Sequence, residues 1–238
     1  MFWQNAGDFL CVRVERYKKS NIVKEDDKEV TRYSGLYYNF EFFRIREKEI
    51  PVDSIEIKDT CYAFAWEPNG QKFCIIYGDS PNRTNAAFYR ITSAAGNAAG
   101  KLELMKEFKN RAVLQIAWAP SGNYCALVTS ASKQSSSTPH VEFFDASTND
   151  VQFFTKIEHE HMTDFEWDPT GRYFVTYVSY WNYRLENAFC LWNFQGRQVQ
   201  PNHKISFEKL YKFSWRPRPQ SLLSADQIKV LFISISFV

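Results

Sequence analysis

The sequence feature that most constrains the fold is a Trp-x-Pro-x-Gly motif that recurs along the chain. Complete copies begin at Trp66, Trp118 and Trp167, a copy at Trp215 keeps only the proline, and a copy at Trp3 keeps only the glycine. The five tryptophans are separated by 63, 52, 49 and 48 residues. Self-similarity at a nearly fixed period predicts repeated structural units, so it decides the architecture before any single local motif does.

Each motif predicts a turn between two strands, because proline ends a strand and glycine supplies the positive φ of a tight turn. In every unit an aromatic-rich segment follows and ends at a polar residue, at positions 44, 90, 145 and 193. This second landmark keeps the period of the first. Segments 101–108 and 150–157 have the pattern of one further strand per unit. The repeat therefore contains four strands, which is typical of a β-propeller blade.

We therefore predict an all-β fold of WD40-like β-propeller blades, each with four antiparallel strands. The partial propeller comprises about four blades and part of a fifth, in units of about 1–60, 61–110, 111–160, 161–212 and 213–223. The predicted core residues between blades are the repeat tryptophans, which bury large rings: Trp66, Trp118, Trp167 and Trp215. A β-sandwich with unrelated turns is the alternative, and it is disfavoured because two independent landmarks share one period.

Composition excludes several classes of function. Aromatic residues make up 17% of the chain and favour strands, while a net charge of +2 gives no overall nucleic-acid signal. The five cysteines are scattered without a CxxC pair, which indicates buried thiols in a reducing compartment. No signal peptide or apolar run of transmembrane length is present in the sequence, so we expect a cytoplasmic protein without a membrane partner.

Four segments carry a more specific resemblance: FEFFRIREKEIPV, FAWEPNGQKFCIIYGD, FEWDPTGRYFVTYV and FSWRPRPQSLLS. They resemble, in the same order over residues 1–228, the B-subunit family of eukaryotic translation initiation factor 3. The Trp-x-Pro-x-Gly motif marks many propellers, whereas FRIREK and WRPRP are much more specific. In that family an RNA-recognition motif precedes a large propeller, usually described as nine-bladed, and a helical tail follows it.

The resemblance implies a non-catalytic scaffold that binds sister subunits of the factor and the small (40S) ribosomal subunit, including its RNA. It implies no cofactor and no small-molecule substrate. The recognition motif is absent from this sequence, so its contacts do not transfer. Two alternatives remain: a related propeller such as an initiation factor 2A-like protein, against which FRIREK and WRPRP argue, and an enzyme-associated propeller. For the last, the sequence offers no G-x-S-x-G nucleophile motif.

Two basic clusters are the candidate contacts with the ribosome or with partner subunits. Arg44, Arg46 and Lys48 alternate along the chain, so a strand would place all three on one face, where they could neutralise phosphates. The alternative is a solvated outer edge. Arg216 and Arg218 lie two residues apart in an extended, proline-flanked segment, which either directs the tail towards partners or stacks on aromatic rings and closes the last blade.

Other motifs predict structure without chemistry. Residues 17–36 are a charged insertion. A third basic cluster, of Arg13, Arg16, Lys18 and Lys19, is diluted by Glu15 and by the acidic stretch at 25–29, and we interpret it as a solvated loop. Residues 93–101 imitate a phosphate-binding loop, but the spacing is one residue too short and Leu102 stands where Ser or Thr is needed. The His159-Glu160-His161 segment lacks a third ligand at a sensible spacing, so we predict no metal site.

The C-terminal segment 224–238 contains conflicting signals. Residues 224–227 form a capping box that predicts the start of a helical tail, but residues 230–238 are apolar and β-branched. We interpret this end as a replacement of the family's helical tail, with an added strand as the alternative. The units are also too few for a nine-bladed ring, which leaves three options: edge-to-edge pairing of two copies, further chain that completes the ring, or contraction into a smaller ring.

Overall fold

The computed structural model describes residues 1–25, 28–94, 100–129, 138–199 and 204–217. These residues form strands and connections without any helix, in four sheets of four antiparallel strands. Within each sheet the strands are arranged in the order of the chain. The predicted all-β fold of four-stranded blades is therefore confirmed.

The sixteen strands follow one another without crossovers. The first sheet contains β1 (Phe2–Trp3), β2 (Phe9–Glu25), β3 (Lys28–Arg44) and β4 (Val52–Ile57). The second contains β5 (Thr60–Trp66), β6 (Lys72–Ser80), β7 (Arg83–Thr92) and β8 (Lys101–Arg111). The third contains β9 (Gln115–Trp118), β10 (Tyr124–Val128), β11 (His140–Asp145) and β12 (Gln152–Glu158). The fourth contains β13 (Asp164–Trp167), β14 (Tyr173–Tyr177), β15 (Ala188–Asn193) and β16 (Ile205–Ser206).

The repeat tryptophans join each first strand to the preceding sheet by one recurring hydrogen bond. The indole Nε1 of Trp66 donates to the Phe2 carbonyl at 3.0 Å, and that of Trp118 donates to the Ala65 carbonyl at 3.2 Å. In each case the acceptor is the residue just before the previous repeat tryptophan. The later repeats follow the same rule, from Trp167 to Ala117 at 2.9 Å and from Trp215 to Glu166 at 3.3 Å. The first strands therefore lie side by side at one level, and the sheets extend outward from them.

A row of apolar residues crosses each sheet at the level of its tryptophan. In the third sheet the row is Trp118, Cys125, Phe144 and Phe153, paired residue by residue across four strands. Its inner members pack on Phe88 of the second sheet, with the Trp118 and Phe88 ring centroids 5.8 Å apart in an edge-on contact. Side chains of a strand alternate between the two faces of its sheet. Each middle sheet has a neighbouring sheet on both faces, so both sets of alternating side chains are buried. The core therefore lies between sheets.

The first sheet presents its row without such cover. Trp3, Leu10, Phe43 and Val52 are paired across β1 to β4 in the register that carries Trp118 in the third sheet. Trp3 is 57% exposed and Val52 is also exposed. We refer to these four residues as the open row. The opposite face of the same sheet is buried against the second sheet through Phe9, Phe40 and Phe42.

The Trp-x-Pro-x-Gly turns form as predicted, with one exception. In the third turn the Gly122 N–H donates to the Ala119 carbonyl at 2.8 Å, with Pro120 at the second position and a φ of +78° at Gly122. In this turn the proline ring fixes φ at the second position, and glycine adopts the positive φ at the fourth position. The motif predicts positive φ at Gly70 as well, but Gly70 does not adopt it. There glycine is required for space, because an added Cβ would lie 1.8 Å from Glu67 Oε2.

The charged insertion at 17–36 is not the loop that the sequence predicted. β2 and β3 continue to pair past the sheet, through Tyr17 with Leu36 and as far as Glu25 with Lys28, and so form a two-stranded arm. The β-branched residues Ile22, Val23, Val30 and Thr31 favour extended backbone, and backbone groups that pair with each other lose no hydrogen bonds. Gly35 adopts a φ of +72° within this arm.

The five cysteines are all buried and carry free thiols. Burial raises the pKa of the Cys61 thiol to about 11, and it raises the pKa values of the other four thiols in the same direction. A thiol that stays protonated is a weak nucleophile. The cysteines are therefore packing residues.

Candidate functional site

The turns and loops at one end of the sheets form a continuous surface, which we call the turn face. Because neighbouring strands are antiparallel, the connections from first to second strand and from third to fourth strand all leave from the same end. Their described residues are 4–8, 67–71, 119–123 and 168–172 together with 45–51, 93–94, 100, 146–151, 194–199 and 204. All the remaining connections leave from the opposite end, which we call the loop face.

Successive turns on the turn face are hydrogen bonded to each other. Asn5 Nδ2 donates to the Pro68 carbonyl at 2.9 Å, and Asn69 Nδ2 donates to the Pro120 carbonyl at 2.7 Å. Asparagine and aspartate side chains at such turns form hydrogen bonds with backbone groups that would otherwise bond only to water. The inner part of the turn face is therefore a connected and preorganised surface.

A buried ion pair connects the second and third sheets beneath this surface. Lys72 Nζ donates to Glu67 Oε1 at 3.1 Å, and the Glu67 side chain is only 3% exposed. Glu67 Oε1 also accepts the Asn123 N–H at 2.7 Å, while Lys72 Nζ reaches the Ala146 carbonyl at 2.6 Å. A buried pair of this kind is held by additional hydrogen bonds, and removal of one partner leaves an uncompensated charge. These groups are structural and are not available to a partner.

The structure corrects the predicted geometry of Arg44, Arg46 and Lys48. β3 ends at Arg44, and residues 45–49 form turns with positive φ at Glu49 and Ile50, so the three basic residues do not lie on one face of a strand. The prediction was wrong because the alternating pattern of charges is also compatible with a tight turn. The Glu47 N–H donates to the Arg44 carbonyl and the Ile50 N–H to the Glu47 carbonyl, while the Ile45 N–H donates to the Asp8 carbonyl of the first turn.

Arg44 is buried, whereas Arg46 and Lys48 are exposed. Arg44 is 5% exposed and forms ion pairs with Asp53 and with Glu47, the latter at 3.8 Å between Nε and Oε1. It has no surface to offer a phosphate. The Arg46 side chain is 69% exposed and pairs with Asp8 at 3.3 Å, and Lys48 is exposed beside it. Of the three candidates, only Arg46 and Lys48 remain accessible on the turn face.

The buried Arg44 pair also supports the neighbouring loop of the second sheet. Glu47 Oε1 accepts the Ala94 N–H at 2.8 Å, and a Cβ at Gly100 would lie 2.7 Å from Arg44 Nε. The loop imitates a phosphate-binding sequence, and its residues 95–99 lie outside the described part of the chain. Its two described ends contact the first sheet.

The second basic candidate is described only in part. Trp215 and Phe213 pack at the fourth sheet, where Phe213 contacts Tyr177 and Phe189 with centroids 6.2 and 5.0 Å apart. Arg216 is exposed next to them. Arg218 and the tail at 224–238 lie outside the described residues. The contact role of both arginines stays a prediction.

The histidine segment lies on the loop face, in the connection from β12 to β13. His159 is buried, its Nδ1 is hydrogen bonded to Thr176 Oγ1 at 2.8 Å, and burial lowers the pKa of His159 to about 4. His161 points outward and comes near Glu160 and Glu186, with ligand atoms within 4.8 Å of one another. Spacing alone could not indicate Glu186. His161 stacks on Tyr183 at 4.2 Å and Glu186 pairs with Lys204 at 3.6 Å, and we assign no metal to this group.

Sequence reasoning missed the acidic partners that decide which arginine is available. Asp8, Glu47 and Asp53 come from the first turn, the connecting turn and β4, and they meet Arg44 or Arg46 only in the folded sheet. A signal was present in the alternating charges of residues 46–49, but it did not distinguish a strand from a turn. The described part of the chain also contains no helix of the length and apolarity that crossing a membrane requires.

The comparisons with known proteins agree with this architecture. The family model described as "Eukaryotic translation initiation factor eIF2A" matches residues 1–213. The B subunit of eukaryotic translation initiation factor 3 from Xenopus laevis is 42% identical over 96% of this chain, and that from Bombyx mori is 42% identical over 95%. The chain spans only 29% and 30% of the length of these two relatives.

A solved structure titled as a crystal structure of the eukaryotic initiation factor has the same fold. It superposes with a TM-score of 0.62 and 20% identity, and covers 92% of this chain and 45% of that chain. At this identity the likeness concerns the fold alone. The two B-subunit relatives, at 42% identity, confirm the resemblance that the FRIREK and WRPRP segments indicated.

Proposed function

This chain belongs to the eukaryotic translation initiation factor eIF2A family, and from that premise we propose that it is a non-catalytic scaffold segment of initiation factor 3. In this proposal the chain binds sister subunits of the factor and the small (40S) ribosomal subunit during initiation, in the cytoplasm. The 42% identity to the B subunit of initiation factor 3 over nearly the whole chain carries the proposal. Propellers hold partners on the surfaces at the two ends of their sheets, which suits a scaffold.

We assign the ribosomal contact to the exposed pair Arg46 and Lys48. They lie on the turn face, on a connection that is held from below by the buried Arg44 pair. A fixed backbone that presents two long cationic side chains suits phosphate neutralisation, in which each contact adds to a salt-dependent affinity. Asp8 is a weak competitor, because exposed ion pairs contribute between about 0 and 1 kcal/mol.

The test compares two double charge reversals in co-sedimentation with 40S particles. Arg46→Glu with Lys48→Glu is expected to weaken binding by about tenfold or more and to lower its salt dependence. The matched control is Lys109→Glu with Lys156→Glu, because those side chains are exposed, pair with a local acid as Arg46 does, and lie near the loop-face ends of β8 and β12. Equal loss in both variants would indicate a general charge effect, and unchanged binding in the first would remove Arg46 and Lys48 from the proposal.

Interaction with sister subunits is tested separately by pull-down with the individual subunits of initiation factor 3. We propose that Arg216 and Arg218 lie at a junction that directs the tail towards these subunits. Arg216→Ala with Arg218→Ala should then weaken the pull-down of sister subunits without changing 40S binding. If only 40S particles and none of the sister subunits are retained, the initiation factor 2A-like alternative is favoured, which the name of the family model also supports.

Self-association through the open row is a further part of the proposal. The row exposes apolar side chains in the register that other sheets bury, and a second copy could cover it. Light scattering on the isolated chain measures this directly. A strict monomer at all concentrations would exclude pairing of two copies, and Trp3→Glu should convert a dimer to a monomer.

A further inference from the structure

The loop face carries a group of rings that neither the repeat nor the proposed scaffold role explains, and of these Trp181 and Tyr211 are exposed while Tyr180 and Tyr183 are half-buried. Tyr180, Trp181 and Tyr183 belong to the connection from β14 to β15, and Tyr211 belongs to the segment that follows β16. Three of the rings are in contact: the Trp181 and Tyr211 centroids are 5.1 Å apart, and those of Tyr180 and Tyr211 are 5.5 Å apart. We call these four residues the aromatic platform.

Two rings of the platform are exposed to solvent to an unusual degree. Trp181 is 76% exposed and Tyr211 is 46% exposed, whereas Trp118 and Trp167 in the repeat positions are each 7% exposed. A large ring that remains in water forgoes a favourable burial of apolar area. An exposed tryptophan next to other rings is therefore a feature that marks an interaction site.

The platform is held in place by the backbone beneath it. The Tyr180 N–H donates to the Leu210 carbonyl at 2.7 Å, and Ser179 Oγ donates to the Tyr211 carbonyl at 2.8 Å. Within the loop, the Tyr183 N–H donates to the Ser179 carbonyl at 2.9 Å and Asn187 Nδ2 donates to the Tyr183 carbonyl at 2.8 Å. The two segments are thus joined to each other, so little conformational freedom is left to lose on binding.

Two cationic groups lie at the platform, together with acids that already have partners. Lys209 Nζ is 5.7 Å from the centroid of the Tyr180 ring, and Arg184 is exposed in the same loop as Trp181. Glu186 is paired with Lys204, and Asp164 accepts hydrogen bonds from Asn182 Nδ2 and Thr163 Oγ1. Glu160 lies 3.7 Å from His161, which stacks on Tyr183.

We propose that the aromatic platform binds single-stranded RNA by stacking bases on Trp181 and Tyr211, with Lys209 and Arg184 on the phosphates. Exposed rings next to cations are how proteins hold single strands without sequence preference, because every base has a flat face. The platform is on the loop face and the Arg46–Lys48 pair is on the turn face. This binding is therefore independent of the ribosomal contact proposed above.

RNA is favoured over a protein partner by two observations. Lys209 and Arg184 take part in no ion pair within the described residues, so both cations are available to phosphates, and Lys209 already lies over a ring of the platform. Duplex RNA is disfavoured, because its bases are already stacked and it is recognised by shape and backbone. A single strand offers both flat faces and phosphates at once.

The experiment measures fluorescence anisotropy of the full chain with a labelled oligouridylate of about 12 nucleotides, which is within the site sizes of single-strand binders, and with duplex RNA of the same length. Trp181→Ala is expected to weaken single-strand binding by about 5- to 100-fold, and Trp181→Phe to restore most of it, because a ring is present again. Lys209→Ala should reduce the slope of log affinity against log salt by about one. The duplex should bind more weakly than the single strand.

The matched control is Tyr17→Ala, which removes an exposed ring on the arm of the first sheet, outside both the platform and the open row, and should leave RNA binding unchanged. Any of three results overturns the proposal: no binding of the single strand by the unaltered chain, equal affinity of the Trp181→Ala variant, or equal loss in the Tyr17→Ala control. If the platform instead binds protein, the single strand will not bind, and Trp181→Ala will weaken pull-down of a purified factor subunit. Loss of 40S binding on charge reversal at Arg46 and Lys48 is scored independently.

Discussion

Trp118 and Trp3 occupy the same position of two repeats and have opposite surroundings. The Trp118 row is packed against the second sheet, and its indole donates to Ala65. The open row around Trp3 has the same register and the same apolar character, but none of its members is among the fully buried core residues. The comparison shows that the repeat sequence specifies the row, while burial depends on whether another sheet lies on it.

The largest difference is expected when the two tryptophans are removed. Trp118→Ala should lower the free energy of unfolding by about 3–5 kcal/mol, because it leaves a cavity between two sheets and an unpaired Ala65 carbonyl. Trp3→Ala should lower it by less than about 1 kcal/mol, because its ring is already in water. Urea unfolding followed by circular dichroism measures both. Equal effects would mean that the open row is covered in solution.

The ion pairs of the two regions should differ less strongly. Lys72→Ala should lower the free energy of unfolding by about 3 kcal/mol, because the Glu67 carboxylate is left buried without a counterion. Arg46→Ala removes an exposed ion pair with Asp8 and should lower the free energy of unfolding by only about 0 to 1 kcal/mol. The Lys72→Met variant tests the cause, since it keeps the packing of the stem and removes the charge. If Lys72→Met is as stable as the unaltered chain, packing rather than charge holds this position.

The glycines of the turns give the smallest contrast. Gly171 and Gly7 both have a φ near +72°, but an added Cβ at Gly171 would lie 2.4 Å from Ser121 Oγ, whereas at Gly7 its nearest neighbour is 3.8 Å away. Gly7→Ala should lower the free energy of unfolding by about 1 kcal/mol, which is the backbone cost alone. Gly171→Ala should cost up to about 1 kcal/mol more, because the Ser121 hydroxyl must rotate away and the Cβ atoms of Ala119 and Ser121, at 3.2 and 3.3 Å, must yield slightly. Identical costs would show that the turns do not press on each other.

The sequence was sufficient for the repeat and for much of the fold. The Trp-x-Pro-x-Gly motif and the aromatic strand that follows it are local patterns, in which proline, glycine and alternation act within a few residues. They placed the turns at Pro68, Pro120 and Pro169 and predicted four strands per unit. Local patterns failed where two conformations share one pattern, as in the arm at 17–36 and the turn after Arg44.

The sequence by itself therefore determined the period, the four-stranded unit and the positions of its tryptophans. Only the tertiary structure decided that Arg44 is buried while Arg46 is exposed, that Lys72 reaches Ala146 74 residues away, and that Trp181 and Tyr211 meet on the loop face. The physical reason is the range of the interactions. Turn and strand preferences act along the chain, whereas burial and pairing of side chains arise only when separate sheets and their connecting segments pack together.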